Sequence, residues 1–289
     1  MPKSLRELLE SEQQLVVPFA YDAFSAMLVE EAGFQCVGIS GSAVAAAAFG
    51  LPDVGLLSRE DVVGQAKRIV EAVNIPVIAD ADTGYGGPIQ VARTVQHFEA
   101  AGVAAIFIED QKDPKLCGHL EGVQVIPKDE MQIKLKAAIS AVEDSDFVVI
   151  ARTDSISVEG LESAVDRIAS YVDIGADMGF ISGIGSKHDL KQIPVELKGV
   201  PLMVVLTEGG KTPMLPPDQL GTLGYKIIGY SGLAIGTAAH AMLSNLNELN
   251  QGGYHTNLSN EVMPLGERNR ILDLEKYQSL EDQLLSKPD

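Results

Sequence analysis

Eight short apolar runs punctuate the chain, and longer amphipathic stretches separate them. The runs fall at residues 15–20, 36–40, 76–82, 104–110, 147–154, 177–182, 202–207 and 226–230. Most are continuous in Val, Ile, Ala and Phe rather than alternating with polar residues, which is the pattern of parallel strands buried on both faces. Between them, stretches such as 59–73, 88–101, 128–141 and 161–174 repeat apolar residues at helical spacing. Helical segments stop at Gly33, Gly102 and Gly175 just before the next run, the signature of a helix C-cap. This rhythm predicts an α/β fold, a (β/α)8 TIM-type barrel; a doubly wound open sheet is the alternative that the same alternation allows. From about Asn245 the sequence turns polar, through Asn250-Gln251-Gly252-Gly253, and ends in charged helical sequence. The expected organisation is a barrel over residues 1–244 and a C-terminal helical arm over 245–289 that packs outside the barrel, onto a partner subunit.

Composition narrows the function classes. The 289 residues suit one barrel, and 46% hydrophobic content supplies a large core. A formal net charge of −18 repels polyanions, so nucleic acid and anionic membrane surfaces are not expected as partners. The absence of Trp leaves few platforms for stacking bases. No apolar stretch is long enough to span a bilayer, and the chain opens on Met1-Pro2-Lys3-Ser4-Leu5-Arg6, which leads into a charged helical pattern rather than an apolar signal core. Cys36 and Cys117, at unrelated positions, do not form a disulfide framework, which favours a reducing, cytoplasmic setting.

In a barrel of this type the chemistry lies at the C-terminal ends of the strands. The polar residues fall there repeatedly: Ser40-Gly41-Ser42, Asp80-Ala81-Asp82, Glu109-Asp110, Arg152-Thr153-Asp154 and Thr207-Glu208-Gly209-Gly210-Lys211. Asp80 and Asp82, two apart on a strand, are expected to share one face with Glu109 beside them. Such carboxylates repel unless a cation sits among them, and a hard, oxygen-loving ion such as Mg²⁺ suits the set. Taken alone, the Asp-x-Asp pair also reads as a helix cap plus a solvated acid. Arg152 is able to fork onto a substrate carboxylate or to hold a structural ion pair. The segment Lys115-Leu116-Cys117-Gly118-His119 places a thiol between cationic side chains, a setting expected to lower its pKa and suit it to proton transfer or nucleophilic work. Cys36, inside an apolar run, reads as a buried hydrophobe. Gly183-Ile184-Gly185 lacks the full dinucleotide spacing, no phosphate loop is present, and His97, His188 and His240 have no partners at ligand spacing.

These motifs carry a resemblance. Pro18-Phe19-Ala20-Tyr21-Asp22, Gly50-Leu51-Pro52-Asp53, the segment from Ile78 to Gly86, Ile108-Glu109-Asp110-Gln111, Lys115-Leu116-Cys117-Gly118-His119 and Ile150-Ala151-Arg152-Thr153-Asp154 together resemble the isocitrate lyase and phosphoenolpyruvate mutase superfamily, in its methylisocitrate lyase-like branch. The Lys-x-Cys-Gly-His motif marks the carbon–carbon lyase side of that superfamily. The resemblance implies a Mg²⁺-dependent barrel, with Mn²⁺ as a substitute, usually a homotetramer that swaps its eighth helix between subunits. It implies Asp82 as the direct metal ligand, with Asp53, Asp80 and Glu109 holding the ion's waters. Ser40, Gly41 and Ser42 would cradle an α-keto or α-hydroxy carboxylate with Arg152, and Asp80, Gly118 and Glu208 join them as substrate-binding candidates. Cys117 would be the acid that protonates the leaving enediolate, on a closing loop, with His119 and Arg152 completing the catalytic set.

The departures redirect the substrate. Methylisocitrate lyases have Glu where this chain has Ser182, Asn where it has Val205, Arg where it has Gly236 and Gly where it has Phe19. A pocket without those donors is poorly equipped for a third carboxylate. The expectation is therefore a lyase that cleaves a 2-alkylmalate-type dicarboxylate to pyruvate or another 2-oxo acid plus a short acid. Oxaloacetate hydrolysis to oxalate and acetate, favoured by Ser231, and methylisocitrate cleavage are the alternatives.

Overall fold

The computed structural model describes residues 3–11, 13–251 and 262–286. Its eight strands are β1 (Leu15–Ala20), β2 (Val37–Ile39), β3 (Val77–Asp80), β4 (Ala105–Glu109), β5 (Val148–Thr153), β6 (Met178–Ile181), β7 (Leu202–Leu206) and β8 (Tyr225–Tyr230). They close in sequence order into a barrel in which every neighbouring pair is parallel and β8 pairs with β1. This is the (β/α)8 fold expected, and closure removes the doubly wound alternative. Strands β2 to β7 are shorter than their apolar runs, because the terminal polar residues leave the ladder. Asp82 shows the consequence. It lies beyond β3 with φ 46°, so strand alternation is not what aims it.

Two apolar shells account for the alternation along each strand. Leu15, Val17 and Phe19 of β1, Ile78 of β3, Phe107 of β4, Ile150 of β5, Phe180 of β6 and Met203 of β7 face the lumen. Their neighbours Ala20, Ala79, Ile106, Ile108, Val149, Ile181 and Val204 pack outward, under the helices. The lumen parity then runs on, two residues at a time, into the polar strand ends: Ile78 leads to Asp80, Phe107 to Glu109, Ile150 to Arg152, Phe180 to Ser182 and Val205 to Thr207. The same side-chain period that fills the barrel therefore delivers the polar layer above it.

The first helix, α1 (Leu5–Glu10), contributes Leu5 and Leu8 to the lumen cluster, and Arg6 donates to Ser145 O and Phe147 O and pairs with Asp177 at 3.0 Å. The segment read from sequence only as charged and helical is therefore partly lumen core. Gly102 ends a helix with φ 83°, and Gly33 and Gly175 do the same, as the sequence led us to expect. In the small-residue run before Gly50 a four-residue helical turn, Gly41–Val44, passes into a π-helical turn, Ala45–Phe49.

The chain divides into two compact units, residues 1–235 and 236–289. The division falls inside the helix Leu233–Asn250, upstream of the compositional change at Asn245. The second unit also contains helices Leu265–Ile271 and Leu274–Leu285, while Gly252-Gly253 lie outside the described residues. His240 is exposed. No helix among the described residues is long and apolar enough to cross a membrane.

Beneath the polar layer, Asp110 ties the barrel rim together. Its carboxylate accepts from Thr153 Oγ1 (2.7 Å), Asp154 N (3.0 Å), Arg167 Nη1 (3.0 Å) and Tyr171 OH (3.0 Å), and the group is fully buried. Removing it leaves Arg167 buried with Glu159, at the edge, as its remaining ion-pair partner and with two neutral acceptors, Ile126 O and Tyr171 OH. Asp110→Ala should therefore destabilise the protein by about 3–5 kcal/mol, measured by urea unfolding, with the far-UV spectrum of the folded state retained. A loss below about 1 kcal/mol would show that the network contributes little.

Candidate active site

The strand ends and loops enclose a cavity of about 280 Å³. Ser40, Ser42, Asp53, Asp80, Cys117, Gly118, His119 and Arg152, all singled out from sequence, line it. Glu109 is fully buried below it, Asp82 lines an adjoining cavity, and Gly41 abuts Asp80, with an added Cβ falling 3.0 Å from Asp80 Oδ2. Glu208 is exposed and is not among the lining residues; it lies two residues beyond the end of its strand at Leu206, with its carboxylate against Gly232 at the cavity edge.

Electrostatics organise the acidic side. Lys115 Nζ lies 2.5 Å from Asp53 Oδ1 and 2.7 Å from Asp82 Oδ1. Arg152 forks onto Asp154 through Nε (2.8 Å) and Nη2 (2.9 Å), and its Nη1 stands 2.8 Å from Glu109 Oε2. Arg152 is thus held by the protein's own carboxylates, and its guanidinium lies 5.4 Å from the centre of the Phe180 ring. Burial, reinforced by the Asp82 charge, pushes the Asp80 carboxyl up to about 6, and burial drives Glu109 well above the usual carboxylate range. The chain's own cations lie closer to these acids than the sequence reading anticipated.

A divalent ion fits what remains. Asp82 Oδ1 and both Glu109 oxygens are buried without a hydrogen-bond partner, although ion pairs reach two of the three. Five carboxylates (Asp53, Asp80, Asp82, Glu109 and Asp154) face two cations (Lys115 and Arg152), and every donor on offer is a hard oxygen. Among the described residues no three His, Cys, Asp or Glu side chains are arranged to ligate one ion directly. Hard oxygen donors of this kind suit Mg²⁺, which keeps most of its waters.

The Cys117 thiol differs from expectation. Lys115 points to Asp53 and Asp82, and burial, the largest influence, raises the thiol pKa in spite of the His119 backbone N–H and Arg152. Cys117 is therefore a protonated thiol, suited to giving a proton rather than to attacking. Burial and the Arg152 charge depress His119, whose Nδ1 accepts from Lys211 N–H at 3.1 Å; the neutral ring then carries its proton on Nε2. The loop bearing both residues is pinned by Cys117 N donating to Asp53 O (3.2 Å) and by reciprocal bonds between Gln111 and the Leu116 backbone. Gly118 is required there. A Cβ would fall 2.2 Å from Asp154 Oδ1 and 2.6 Å from Ser182 Oγ.

The far wall is apolar: Phe19, Phe107, Phe180, Val205 and Ile235, with the hydroxyls of Thr207 and Ser231 2.6 Å apart. Phe107 and Phe180 were not singled out from sequence, and Thr207 was noted there only as part of the strand-seven end. Counting lumen parity back from Glu109 and Ser182, and forward from Val205, would have found the two rings and the strand-seven hydroxyl. Gly236 falls in the second compact unit.

A parallel eight-stranded barrel with an acidic rim, a loop-borne thiol and an arginine over one cavity defines a class of barrel enzymes acting on small carboxylates. The chain belongs to the phosphoenolpyruvate phosphomutase family, whose pattern matches residues 5–250, and so to the wider PEP mutase/isocitrate lyase superfamily. It is 38% identical to the 2,3-dimethylmalate lyase of Eubacterium barkeri over 96% of both chains. It is 40% identical to the 2-methylisocitrate lyase of Halalkalibacterium halodurans over 82% of this chain and 77% of the relative. Among solved structures, an oxaloacetate acetylhydrolase bound to 3,3-difluorooxalacetate superposes with a TM-score of 0.93 at 32% identity, covering 100% of this chain and 98% of the other. A phosphonopyruvate hydrolase complexed with oxalate and Mg²⁺ superposes with a TM-score of 0.87 at 29% identity, with 98% of both chains covered.

The raised Asp80 carboxyl makes a stability prediction for the metal-free protein. Burial holds its folded-state pKa, about 6, above the ordinary aspartate value of 3.8, so ionising it costs stability as pH rises from about 4 through about 6. Below about pH 4 the group is protonated in both states and the cost vanishes. Asp80→Asn keeps an oxygen for the Asp82 N–H and should be more stable than the parent by on the order of 1–3 kcal/mol above pH 6.5, and equal to it near pH 4. Melting curves across this range in chelator, identical for the two proteins, would refute the assignment.

Proposed function

We propose that this protein is a Mg²⁺-dependent carbon–carbon lyase that cleaves a 2-alkylmalate-type dicarboxylate to pyruvate or another 2-oxo acid and a short carboxylic acid. The observation that carries this reading is the Cys117 thiol facing the same cavity as Arg152 and Asp80, opposite an apolar wall. Asp82 would hold the ion, with Asp53, Asp80 and Glu109 holding its waters; when bound, the ion supplies positive charge against the negative charge that develops on the reacting oxygens. Ser40, Ser42 and the Gly41 backbone, with Arg152, would orient the 2-hydroxy carboxylate. Asp53 and Asp80 are the lining carboxylates in position to take the hydroxyl proton. As the C2–C3 bond breaks, its electrons pass to C3, and Cys117 delivers the proton that completes the short acid. His119 Nε2–H and the closed loop exclude water and complete the donor set.

The cavity's charge supports a dicarboxylate. Among its described lining residues Arg152 is the one Lys or Arg, and Asp154 and Glu109 already engage it. A third carboxylate would be desolvated against Val205, Phe180 and Phe19, which argues against methylisocitrate. Oxaloacetate hydrolysis is the second reading, favoured by the Ser231 hydroxyl on the cavity wall, paired with Thr207. In the second unit, Met242, Leu243, Leu246 and Leu249 lie exposed at helical spacing, which supports a helix exchanged between copies, as in a homotetramer.

Purified protein should release pyruvate from 2,3-dimethylmalate in a Mg²⁺-dependent way, fall silent in excess chelator and recover with Mg²⁺ or Mn²⁺. Oxaloacetate turnover without alkylmalate cleavage would select the second reading. Cys117→Ser should lower kcat by roughly 10²–10⁴-fold while oxalate still binds with Mg²⁺, seen by calorimetry. Near-parental turnover in that variant would remove Cys117 from the proton step.

A further inference from the structure

Phe19 occupies space that belongs, by strand geometry, to its neighbours. Its register partner on β2 is Gly38, and a Cβ built there would fall 1.7 Å from Phe19 Cδ1, inside the ring. On the other side a Cβ at Gly229 of β8 would fall 2.8 Å from Phe19 Cε2. The ring therefore lies across the lumen positions that two adjacent strands leave empty. It is 1% exposed, yet it lines the cavity. It packs edge-to-face on Phe107, with centroids 6.3 Å apart, and Phe107 packs edge-to-face on Phe180, with centroids 5.8 Å apart. Phe180 in turn supports Arg152. A rigid aromatic floor thus runs from beneath the carboxylate-binding guanidinium to the far wall, and Phe19 is its distal end.

We propose that Phe19 is the residue that sets substrate size: its ring, seated over Gly38 and Gly229, admits a methyl-sized apolar group on the substrate carbon next to the cleaved bond and excludes longer alkyl groups. The assignment of the cleaved substrate rests on the lyase reading above; the steric claim does not. A ring wedged between two glycine backbones and a second ring has no rotamer to escape into, so a longer chain meets a fixed wall. A methyl group gains contact with the ring face instead of water, which distinguishes alkylated dicarboxylates from bare ones. The ring touches no reacting atom, so its effect should appear in discrimination between substrates rather than in the chemistry common to them.

The test compares the unmodified protein with Phe19→Leu and Phe19→Ala on 2,3-dimethylmalate and on its homologue with ethyl in place of the C3 methyl. The parent should prefer the methyl compound, and Phe19→Ala should shift the ratio of kcat/KM toward the ethyl compound by about tenfold or more, with Phe19→Leu intermediate. Oxalate, which has no alkyl arm, should bind the variants with Mg²⁺ within about threefold of the parent. Should Phe19→Ala fail to fold, Phe19→Leu and the transposed pair Phe19→Gly with Gly38→Phe carry the comparison, since the pair restores a ring to the same volume. An unchanged ratio in a variant that melts like the parent, or an oxalate affinity that falls as far as that of the alkylated ligands, overturns the proposal. If the parent cleaves neither alkylmalate, the lyase reading fails by itself; dissociation constants for methylmalonate and ethylmalonate, measured by calorimetry with Mg²⁺ on the same proteins, then test the steric claim, with the same shift expected.

Discussion

An excess of buried negative charge at the strand ends is the constraint on which the rest of this structure depends. Asp53, Asp80, Asp82, Glu109 and Asp154 converge on two cations, Lys115 and Arg152. Taking a charge out of water costs several kcal/mol even after relaxation, and two cations do not offset five carboxylates. The imbalance shows locally as the rise of Asp80 and Glu109 and as buried oxygens without hydrogen bonds. It shows in the backbone too: Asp82 at φ 46° and Tyr85 at φ 60° occupy the left-handed region without being glycine. Only a well-packed scaffold holds such a set in place, and the closed barrel with its two apolar shells is that scaffold. The unoffset charge is concentrated where a cation of higher charge would relieve it.

The lumen connects this acidic rim to the apolar wall through one periodicity. Each strand alternates between lumen and helix side, so the residue two beyond the last lumen hydrophobe must stand above it. Phe107 therefore lies under Glu109, and Phe180 under Ser182. The register places Arg152 beside both Glu109 and Phe180 across β4, β5 and β6. Arg152 consequently meets a carboxylate on one neighbouring strand and a ring on the other, and the polar and apolar halves of the cavity share a boundary at its guanidinium.

Much of this was legible in the sequence. Buried parallel strands are long apolar runs, so their number and order could be counted, and barrel geometry then put Ser40, Asp80, Glu109 and Arg152 at one end. What the sequence could not convey was the partner of each charge. Lys115 stands two residues from Cys117, and its covalent nearness suggested an effect on the thiol; in space its Nζ belongs to Asp53, 62 positions away. Glu208 follows a strand as the other site residues do, but it lies at the wrong parity for the lumen. The pocket role of Phe19 depends on two glycines on other strands, a relation that no local pattern contains.

The loop carrying Cys117 and the substrate's distal pocket are not independent, because Ser182 belongs to both. Gly118 reaches the rim only because it lacks a Cβ and because residue 182 is a small serine; its carbonyl also lies where a Cβ at Gly183 would fall within 3.0 Å. A longer side chain at 182 would gain reach into the cavity at the expense of this docking, unless the loop settled elsewhere. The small residue thus removes a polar grip from the distal wall and at the same time lets the thiol descend to the cavity. The reach of residue 182 into the cavity and the seating of the loop share one packing contact, and a change to either is felt by the other.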